Sequence, residues 1–252
     1  MSLRNILKPL IKKPLNALGW DVIRLHTSVA YASAEAFQFG PSEGNEVLWL
    51  SSRDINTVID VGAHVGEFAS TIHRILPAAA IVSFEPLEGS FRQLKANMKD
   101  VPNFKAFNCA CGSNNASVDM YRNEFTPSSS LLHMAQLHKS AFTFTERETV
   151  EVVEVRRLDD VALDIDLKED ILIKIDVQGY EREVIRGGEN LVSRAKMLIV
   201  ETSFRTLYEG QPLFDEIYSL LRRMGFKYIG NWNQLLSPVD GSVLQADAIF
   251  AK

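Results

Sequence analysis

The sequence contains little cysteine, no long apolar run and no excess of basic charge. Its 252 residues include two cysteines, Cys109 and Cys111, whose spacing suits neither a disulfide framework nor a four-ligand zinc site. A net charge of −5 argues against a protein whose main partner is nucleic-acid phosphate. We therefore expect no nucleic-acid partner, no bound metal and a reducing, cytoplasmic setting.

Membrane-spanning and export signals are also missing. No segment approaches the roughly 20 apolar residues that a bilayer requires, and the N-terminus lacks an apolar core followed by a small-residue cleavage site. Residues 3–25 place apolar side chains at helical spacing beside basic ones, with Pro9 and Pro14 between them. This pattern is compatible with an extension packed on the domain, or with weak peripheral contact to an anionic membrane or a partner.

From Asn56 onward, short β-branched runs alternate with segments of helical period. This alternation predicts one α/β domain with a doubly wound, mostly parallel sheet and helices on both faces. The runs at 226–230 and 246–251 resemble a terminal antiparallel pair. The other predicted strands are 57–61, 80–84, 104–108, 171–176 and 197–201, and the predicted helices are 67–76, 88–98, 180–191 and 212–224.

The stretch "TVIDVGAHVGEFAS", Thr57 to Ser70, predicts a ligand-binding turn after the first strand. Gly62 lets the backbone turn sharply toward a ligand, and a side chain at Gly66 would collide with ligand or strand. Asp60 is suited to accept hydrogen bonds from the turn's amides or from a ligand ammonium group. His64 replaces the middle glycine of a dinucleotide fingerprint, which disfavours pyrophosphate, and is interpreted as a turn residue that uses mainly its backbone.

A carboxylate follows the second strand, 25 residues after Asp60, in the pair Glu85-Pro86. An ionised carboxylate accepts hydrogen bonds at two oxygens, so Glu85 is suited to bind both hydroxyls of a ribose. Asp60 and Glu85 together indicate a nucleoside-bearing ligand.

Six motifs occur in an order that resembles the FkbM family of S-adenosylmethionine-dependent methyltransferases. They are "VIDVGAHVGEF", "FEPLEGSFRQLKAN", "NCACG", "SSSLL", "RRLDD" and "ILIKIDVQGYEREVIRGGENLV", followed by "LIVET". The resemblance covers roughly residues 56–203, and Lys174 to Glu181 is its most specific part. This sequence departs from the family's pattern at His64, where Asn is more frequent, and at Gln178, where Glu is frequent.

The resemblance implies a class I, Rossmann-like methyltransferase fold with seven strands and an antiparallel last strand. Residues 51–252 would form the catalytic domain, and residues 1–50 a basic, helical extension packed on it. The implied reaction is methylation of a hydroxyl on a sugar, glycan or secondary metabolite, so the expected partner is a small-molecule or glycan acceptor. An N-methyltransferase and a noncatalytic nucleoside-binding module are the alternatives.

The family's cofactor residues carry over onto three turns. Asp60, Gly62, Ala63, His64 and Gly66 would lie at the methionine end of S-adenosyl-L-methionine, Glu85 and Pro86 at its ribose, and Cys109 and Ala110 beside its adenine. Cys109 and Cys111 are interpreted as a small apolar wall, with a redox or metal role as the weaker alternative.

Candidate catalytic residues lie at the tips of two later strands. Asp176 ends the fourth strand, where it would either orient and deprotonate the acceptor hydroxyl or hold the cofactor's amino group. Glu201 is the second candidate for the base, or it caps the following turn. Glu181 either has a site role or complements the dipole of its helix. Lys174 either pairs with an acid or reaches the sheet edge.

The segment from Asn123 to Thr149, called the insertion below, is longer than a bare connection requires, and its length is typical of a lid. Ser129 and Ser130 are candidates for closing over cofactor or acceptor, and His133 for a base or a packing role. Trp232 would stack on a sugar ring or pack at the rim of the core.

Overall fold

The structure is a computed structural model that describes residues 50–142, 145 and 148–252. The predicted N-terminal extension lies outside the described residues, apart from Leu50, so its packing and its membrane contact stay predictions.

The described residues form ten strands, numbered here along the chain. They are β1 (Thr57–Val61), β2 (Ala80–Phe84), β3 (Phe104–Phe107), β4 (Ala110–Cys111), β5 (Ala116–Asn123), β6 (Glu148–Arg156), β7 (Ile171–Ile175), β8 (Met197–Ser203), β9 (Lys227–Leu236) and β10 (Val243–Ala251).

Seven α-helices and one 3₁₀ turn connect the strands within the same described residues. They are α1 (Glu67–Ile75), α2 (Glu88–Asn97), the 3₁₀ turn Thr126–Ser128, α3 (Gln136–Ala141), α4 (Leu158–Ala162), α5 (Glu181–Gly187), α6 (Glu189–Arg194) and α7 (Phe214–Arg223). The single helix predicted over 180–191 is thus two short helices that meet at Gly188. None of the helices in these ranges has the length and apolar character of a membrane span.

The main sheet has seven strands in the order β3-β2-β1-β7-β8-β10-β9. Strands β3, β2, β1, β7 and β8 are mutually parallel, whereas β10 is antiparallel to both β8 and β9. The predicted doubly wound, Rossmann-like architecture is therefore confirmed, including the antiparallel last strand of the chain.

Two apolar clusters cover the two faces of this sheet, because alternate residues of each strand point to opposite sides. Ile59 and Ile173 pack with α5, α6 and α7 on one face. Val58 and Leu172 pack with α1 and α2 on the other. Strand β1 lies between β2 and β7, so the strand order reverses beside it, which is where ligands bind in folds of this kind.

A second, three-stranded sheet in the order β4-β6-β5 was not predicted. Strands β5 and β6 pair antiparallel, and the insertion connects them, beginning within β5 at Asn123 and ending within β6 at Thr149. The run "ETVEVVEVR" of β6 alternates Val153 and Val155, which are buried, with exposed Val152 and Glu154. This burial alternates with period two, as in a strand that buries one face, but the adjacent Val152 and Val153 obscure the alternation in the sequence.

Candidate active site

A cavity of about 380 Å³ lies at the carboxyl ends of β1, β2 and β7. Its volume is within the range of about 300–1,000 Å³ that is typical of small-molecule sites. The predicted residues that line it are Gly62, Ala63, His64, Glu85, Pro86, Cys109, Ala110, Ser129, Asp176 and Trp232. The predicted residues outside its lining are Asp60, Gly66, Ser130, His133 and Glu201.

The glycine turn after β1 is anchored on the neighbouring strand. The amides of Gly62 and Ala63 both donate to the Phe84 carbonyl oxygen, at 3.0 and 2.9 Å. Gly62 has a φ of 85°, and a Cβ there would lie 1.8 Å from the Asp176 carbonyl oxygen, so the backbone after β7 excludes any side chain. His64 is left-handed with a φ of 49°, as its interpretation as a turn residue requires.

Position 66 requires glycine for a different reason from the one predicted. Its φ is 91°, and a Cβ there would lie 2.8 Å from Leu94 Cδ1 of α2. The close neighbour is therefore a helix packed on α1 rather than a strand. The glycine allows α1 and α2 to approach each other beside the cavity.

Glu85 is 5% exposed, and both of its carboxylate oxygens accept backbone hydrogen bonds. Oε2 accepts from the His64 amide and Oε1 from the Leu87 amide, each at 2.9 Å. Burial raises the pKa of Glu85 to about 7, despite these two donors. Each oxygen keeps a further lone pair for a ligand hydroxyl.

Asp60 lies beneath the glycine turn and is fully buried. Its Oδ2 accepts from Ser83 Oγ at 3.4 Å, whereas Oδ1 has no hydrogen-bond partner among the described residues. Burial raises the pKa of Asp60 to about 6, although the Lys174 ammonium opposes this shift. An orphaned carboxylate oxygen at this depth is a ready acceptor for an ammonium group or a water molecule.

Lys174 lines the main cavity and pairs with an acid, which is the first of the two alternatives that the sequence left open. Its Nζ lies 2.9 Å from Asp176 Oδ2 and 5.3 Å from the centre of the Phe68 ring. Burial alone would lower the pKa of Lys174, but the carboxylates of Asp176, Asp60 and Asp247 hold it above its ordinary value.

Gln178 connects the two predicted catalytic carboxylates, and the sequence reasoning gave it no role. Its Nε2 donates to Asp176 Oδ1 at 2.9 Å and lies 3.0 Å from each carboxylate oxygen of Glu201. The Tyr208 hydroxyl donates to Gln178 Oε1 at 2.8 Å. Asp176 and Glu201 are thus brought together, 25 residues apart in the chain, by one side-chain amide.

Glu201 faces another acid that the sequence reasoning missed. Asp247 of β10 is its register partner across the antiparallel pair. Burial raises the pKa of Glu201 well above its ordinary value, and that of Asp247 to about 6. The nearby carboxylates of Asp176 and Glu181 add to the shift at Glu201, while Lys174 opposes it.

A smaller cavity of about 170 Å³ adjoins the first one. Its lining includes Glu201, Gln245, Asn233 and Asp247, and the last two also line the main cavity. Glu201 therefore lies on a polar extension of the site rather than in the main cavity.

A β-bulge shapes this end of the site. Ala246 pairs with Gln234 and Ala248 with Asn231, so two residues, Trp232 and Asn233, stand opposite Asp247 alone. Neighbouring residues of a regular strand face opposite sides, yet both residues of the bulge line the main cavity.

The insertion covers one side of the main cavity, to which it contributes Thr126, Pro127, Ser129 and Leu131. Thr126 Oγ1 lies 2.7 Å from His64 Nε2, so the insertion contacts the glycine turn directly. Burial lowers the pKa of His64, which favours the neutral ring in this contact.

Ser130 and His133 lie away from the cavity. Ser130 Oγ donates to the Gln178 carbonyl oxygen at 2.7 Å, so this serine supports the turn that carries Gln178. The His133 ring lies against that of Tyr121, tilted by 33° with 3.9 Å between ring centres, which is a packing contact.

Cys109 and Cys111 form part of the apolar wall. Both are free thiols, and burial raises the pKa of Cys109 to about 11 and that of Cys111 well above its ordinary value. A thiol with a raised pKa is a poor nucleophile near neutral pH, which favours the packing interpretation. Within the described ranges, no three His, Cys, Asp or Glu side chains are grouped as metal ligands.

Comparison with known proteins gives the family. The Methyltransferase FkbM domain matches residues 60–228, which is more than half of the chain. The chain is 27% identical to the 2-O-methyltransferase NoeI of Sinorhizobium fredii over 183 residues, covering 70% of this chain and 75% of that protein. It is also 27% identical to the methyltransferase sdnD of Sordaria araneosa over 193 residues, covering 67% of this chain and 73% of that protein.

Among solved structures, a SAM-dependent methyltransferase from Aquifex aeolicus aligns with a TM-score of 0.40 and 11% identity, over 82% of this chain and 89% of that one. The domain match spans the glycine turn, Glu85, Asp176 and Glu201, which are the positions around which the two cavities are built. The chain belongs to the FkbM methyltransferase domain family.

Proposed function

We propose that this protein transfers a methyl group from S-adenosylmethionine to a hydroxyl of a sugar, glycan or secondary metabolite. The observation that carries the proposal is the cavity of about 380 Å³ in an FkbM domain, with Glu85 on one side and Asp176 with Gln178 on the other. When bound, S-adenosylmethionine supplies an electrophilic methyl group on a sulfonium sulfur.

The residues present fit that cofactor. Glu85 offers one free lone pair on each oxygen to the two ribose hydroxyls, since each oxygen already accepts one amide. Asp60, whose Oδ1 has no partner among the described residues, lies beneath the glycine turn and outside the cavity lining, so its charge, rather than a direct contact, favours the cofactor's amino group. Cys109 and Ala110 provide an apolar wall for the adenine ring. The carboxylates around Lys174 favour a ligand that carries positive charge.

The acceptor side favours a ring that bears several hydroxyls. Trp232, Asn233 and Asp247 line the cavity around the bulge, and Glu201 and Gln245 extend the polar lining into the smaller cavity. Aromatic faces bind the apolar faces of sugar rings, while amide and carboxylate side chains bind their hydroxyls. NoeI, at 27% identity, is a 2-O-methyltransferase, which supports oxygen as the acceptor atom.

Glu201 is the better base of the two candidate carboxylates. The acceptor oxygen must lose its proton as it gains the methyl group, and a general base works best when its pKa lies near the working pH. Burial among other acids raises the pKa of Glu201 in that direction. Asp176 is tied to Lys174 at 2.9 Å and lines the main cavity, so its role is to orient the acceptor hydroxyl.

Transfer of a radiolabelled methyl group from S-adenosylmethionine to a panel of sugars, oligosaccharides and hydroxylated metabolites tests the proposal. We expect a labelled product that is stable to alkali, as an ether is and an ester is not. We expect Glu201→Gln to lower turnover by about 10²-fold or more while cofactor affinity is kept, because a general base contributes about 10²–10⁴-fold. Cofactor binding without transfer to any acceptor would favour the noncatalytic module, and label on nitrogen would favour the N-methyltransferase.

A further inference from the structure

Gln178 occupies a conformation that side chains rarely adopt. It lies at the turn between β7 and α5 with a φ of 55°. A non-glycine residue in this region costs free energy, and such residues concentrate at functional sites where the surrounding structure enforces them. The side chain that this backbone projects lines the main cavity.

Three separate parts of the chain hold the turn. Glu181 Oε1 accepts from the Gly179 amide at 2.9 Å and from the Val177 amide at 3.2 Å. Ser130, from the insertion, donates to the Gln178 carbonyl oxygen at 2.7 Å. A Cβ at Gly179, whose φ is 99°, would lie 3.1 Å from the Cβ atom of Tyr208 and from that of Gln211. The turn is therefore held by contacts from α5, from the insertion and from the segment between β8 and α7.

The Gln178 side chain is fixed as well. The Tyr208 hydroxyl, on a fully buried ring, donates to its Oε1, which turns Nε2 toward the two carboxylates. A side-chain amide has two N–H donors. One is directed at Asp176 Oδ1, and the other is shared between the two oxygens of Glu201.

We propose that Gln178 is a positioning residue that couples Asp176 and Glu201, holding both carboxyl groups on one amide nitrogen so that they act on the acceptor hydroxyl as a pair. The assignment of the acceptor rests on the proposed function, whereas the coupling itself depends only on this chain. Gln178 acts through the two acids, and its loss leaves both of them present but no longer joined to each other, although Asp176 keeps its ion pair with Lys174.

A specific electrostatic consequence follows. Hydrogen bonds donated to a carboxylate favour its charged form. Glu201 is faced by the Asp176 carboxylate and the Lys174 ammonium from β7 and its end, by Glu181 from α5 and by Asp247 from β10. The amide of Gln178 adds a donor to this mostly acidic surrounding, so removing it makes ionisation of Glu201 harder.

Titration of the Glu201 carboxyl carbon by ¹³C NMR, in protein labelled at glutamate carboxyls, tests the coupling without any acceptor. A Glu201→Gln spectrum assigns the signal. We expect Gln178→Gly and Gln178→Asn to raise the pH at which Glu201 titrates by about one unit, since one hydrogen bond to a charged group is lost. Both variants tolerate a φ of 55°, and the asparagine amide is one methylene too short to span both carboxyls.

Two further variants separate coupling from a structural effect. Gln178→Glu keeps the size of the side chain and replaces the donor with a third acid, so we expect a larger upward shift. Gln93→Glu makes the same chemical change on the exposed face of α2 and serves as the control that leaves the titration unchanged. Tyr208→Phe, which frees the amide without removing it, is expected to give a smaller shift in the same direction.

An unchanged Glu201 midpoint in Gln178→Gly and Gln178→Glu, with thermal unfolding like that of the wild type, would overturn the proposal. Calorimetry with S-adenosylhomocysteine on the same samples keeps the two claims apart. If the wild type binds no S-adenosylhomocysteine, the proposed function is wrong. The carboxyl titration would still test whether Gln178 couples Asp176 and Glu201. Once an acceptor is known, the acidic limb of the pH–rate profile must move by the same amount as the Glu201 midpoint.

Discussion

At the scale of single residues, the site is defined by acids that are buried more deeply than their chemistry favours. Asp60, Glu85, Glu181 and Glu201 all have raised pKa values, and burial is the largest cause in each. Strongly perturbed acids that lie together around a cavity are typical of functional sites. Because burial disfavours their charged forms, these acids lower the stability of the folded protein, as expected for the proposed site of a charged ligand.

Asp60→Asn tests this cost. Because the folded-state pKa of Asp60 is about 6 and its ordinary value is 3.8, folding retains a proton that unfolding releases between these values. The stability contributed by Asp60 is therefore full below about pH 4 and falls as the pH rises through 6. As the pH rises through this window, we expect the free energy of unfolding of Asp60→Asn to increase relative to that of the wild type, by at most about 3 kcal/mol at pH 8.

Urea unfolding of both proteins at pH 4 and pH 8, without ligand, measures the effect. Asn keeps the size of the side chain and an acceptor for Ser83, so it is a conservative replacement. A difference between the two proteins that does not change with pH would show that Asp60 carries no such cost.

The residues that sequence reasoning found are those with a local signal. Glu85 directly follows a β-branched run, and Gly62 and Gly66 have a spacing that a turn requires. Gln178 and Asp247 have no such signal, because their roles depend on contacts that β7, β8 and β10 create between distant parts of the chain. The bulge that directs both Trp232 and Asn233 to the cavity is likewise a matter of register and is invisible in the sequence.

At the scale of elements, the strongly apolar strands could be predicted and the half-exposed ones could not. Strands β1 and β2 have the predicted bounds, since both are short, mostly apolar runs that bury both faces, with Asp60 as the one charged residue among their ten. Strands β5 and β6 bury one face only, and their charged alternate residues look like a polar loop. The insertion was therefore recognised as unusual, but not as the tip of a hairpin.

Two glycines, one at the start of α1 and one in α2, give opposite predictions for the same substitution. Gly66→Ala places a Cβ at a φ of 91° and 2.8 Å from Leu94, so we expect a loss of about 1–3 kcal/mol in the free energy of unfolding. Gly89 has no positive φ and no atom within 4 Å of an added Cβ, so Gly89→Ala is expected to gain about 0.4–1 kcal/mol. Denaturant unfolding of the two variants and the wild type measures both changes in the free energy of unfolding. Equal changes in the two variants would contradict the packing described for Gly66.

At the scale of the whole molecule, the sheet brings residues from β1, β2, β7, β8 and β10 to one edge. Glu85, which we propose binds the nucleoside, and the carboxyl pair around Gln178 lie on opposite sides of the switch point beside β1. This separation is what a transfer reaction needs, because the donor and the acceptor must meet from two sides. The topology thus brings the residues of the proposed binding and chemistry together from distant parts of the chain.

The central claim is that the cavity beside Glu85 binds the nucleoside of S-adenosylmethionine. Calorimetric titration of S-adenosylhomocysteine into the wild type, Glu85→Gln and the exposed control Glu88→Gln tests it most directly, with NAD as the control ligand. The account predicts wild-type binding on the order of micromolar, an unchanged affinity in Glu88→Gln, and a loss of about 10-fold or more in Glu85→Gln, since hydrogen bonds to a charged group are lost. No binding to the wild type, or equal binding to all three proteins, would contradict it.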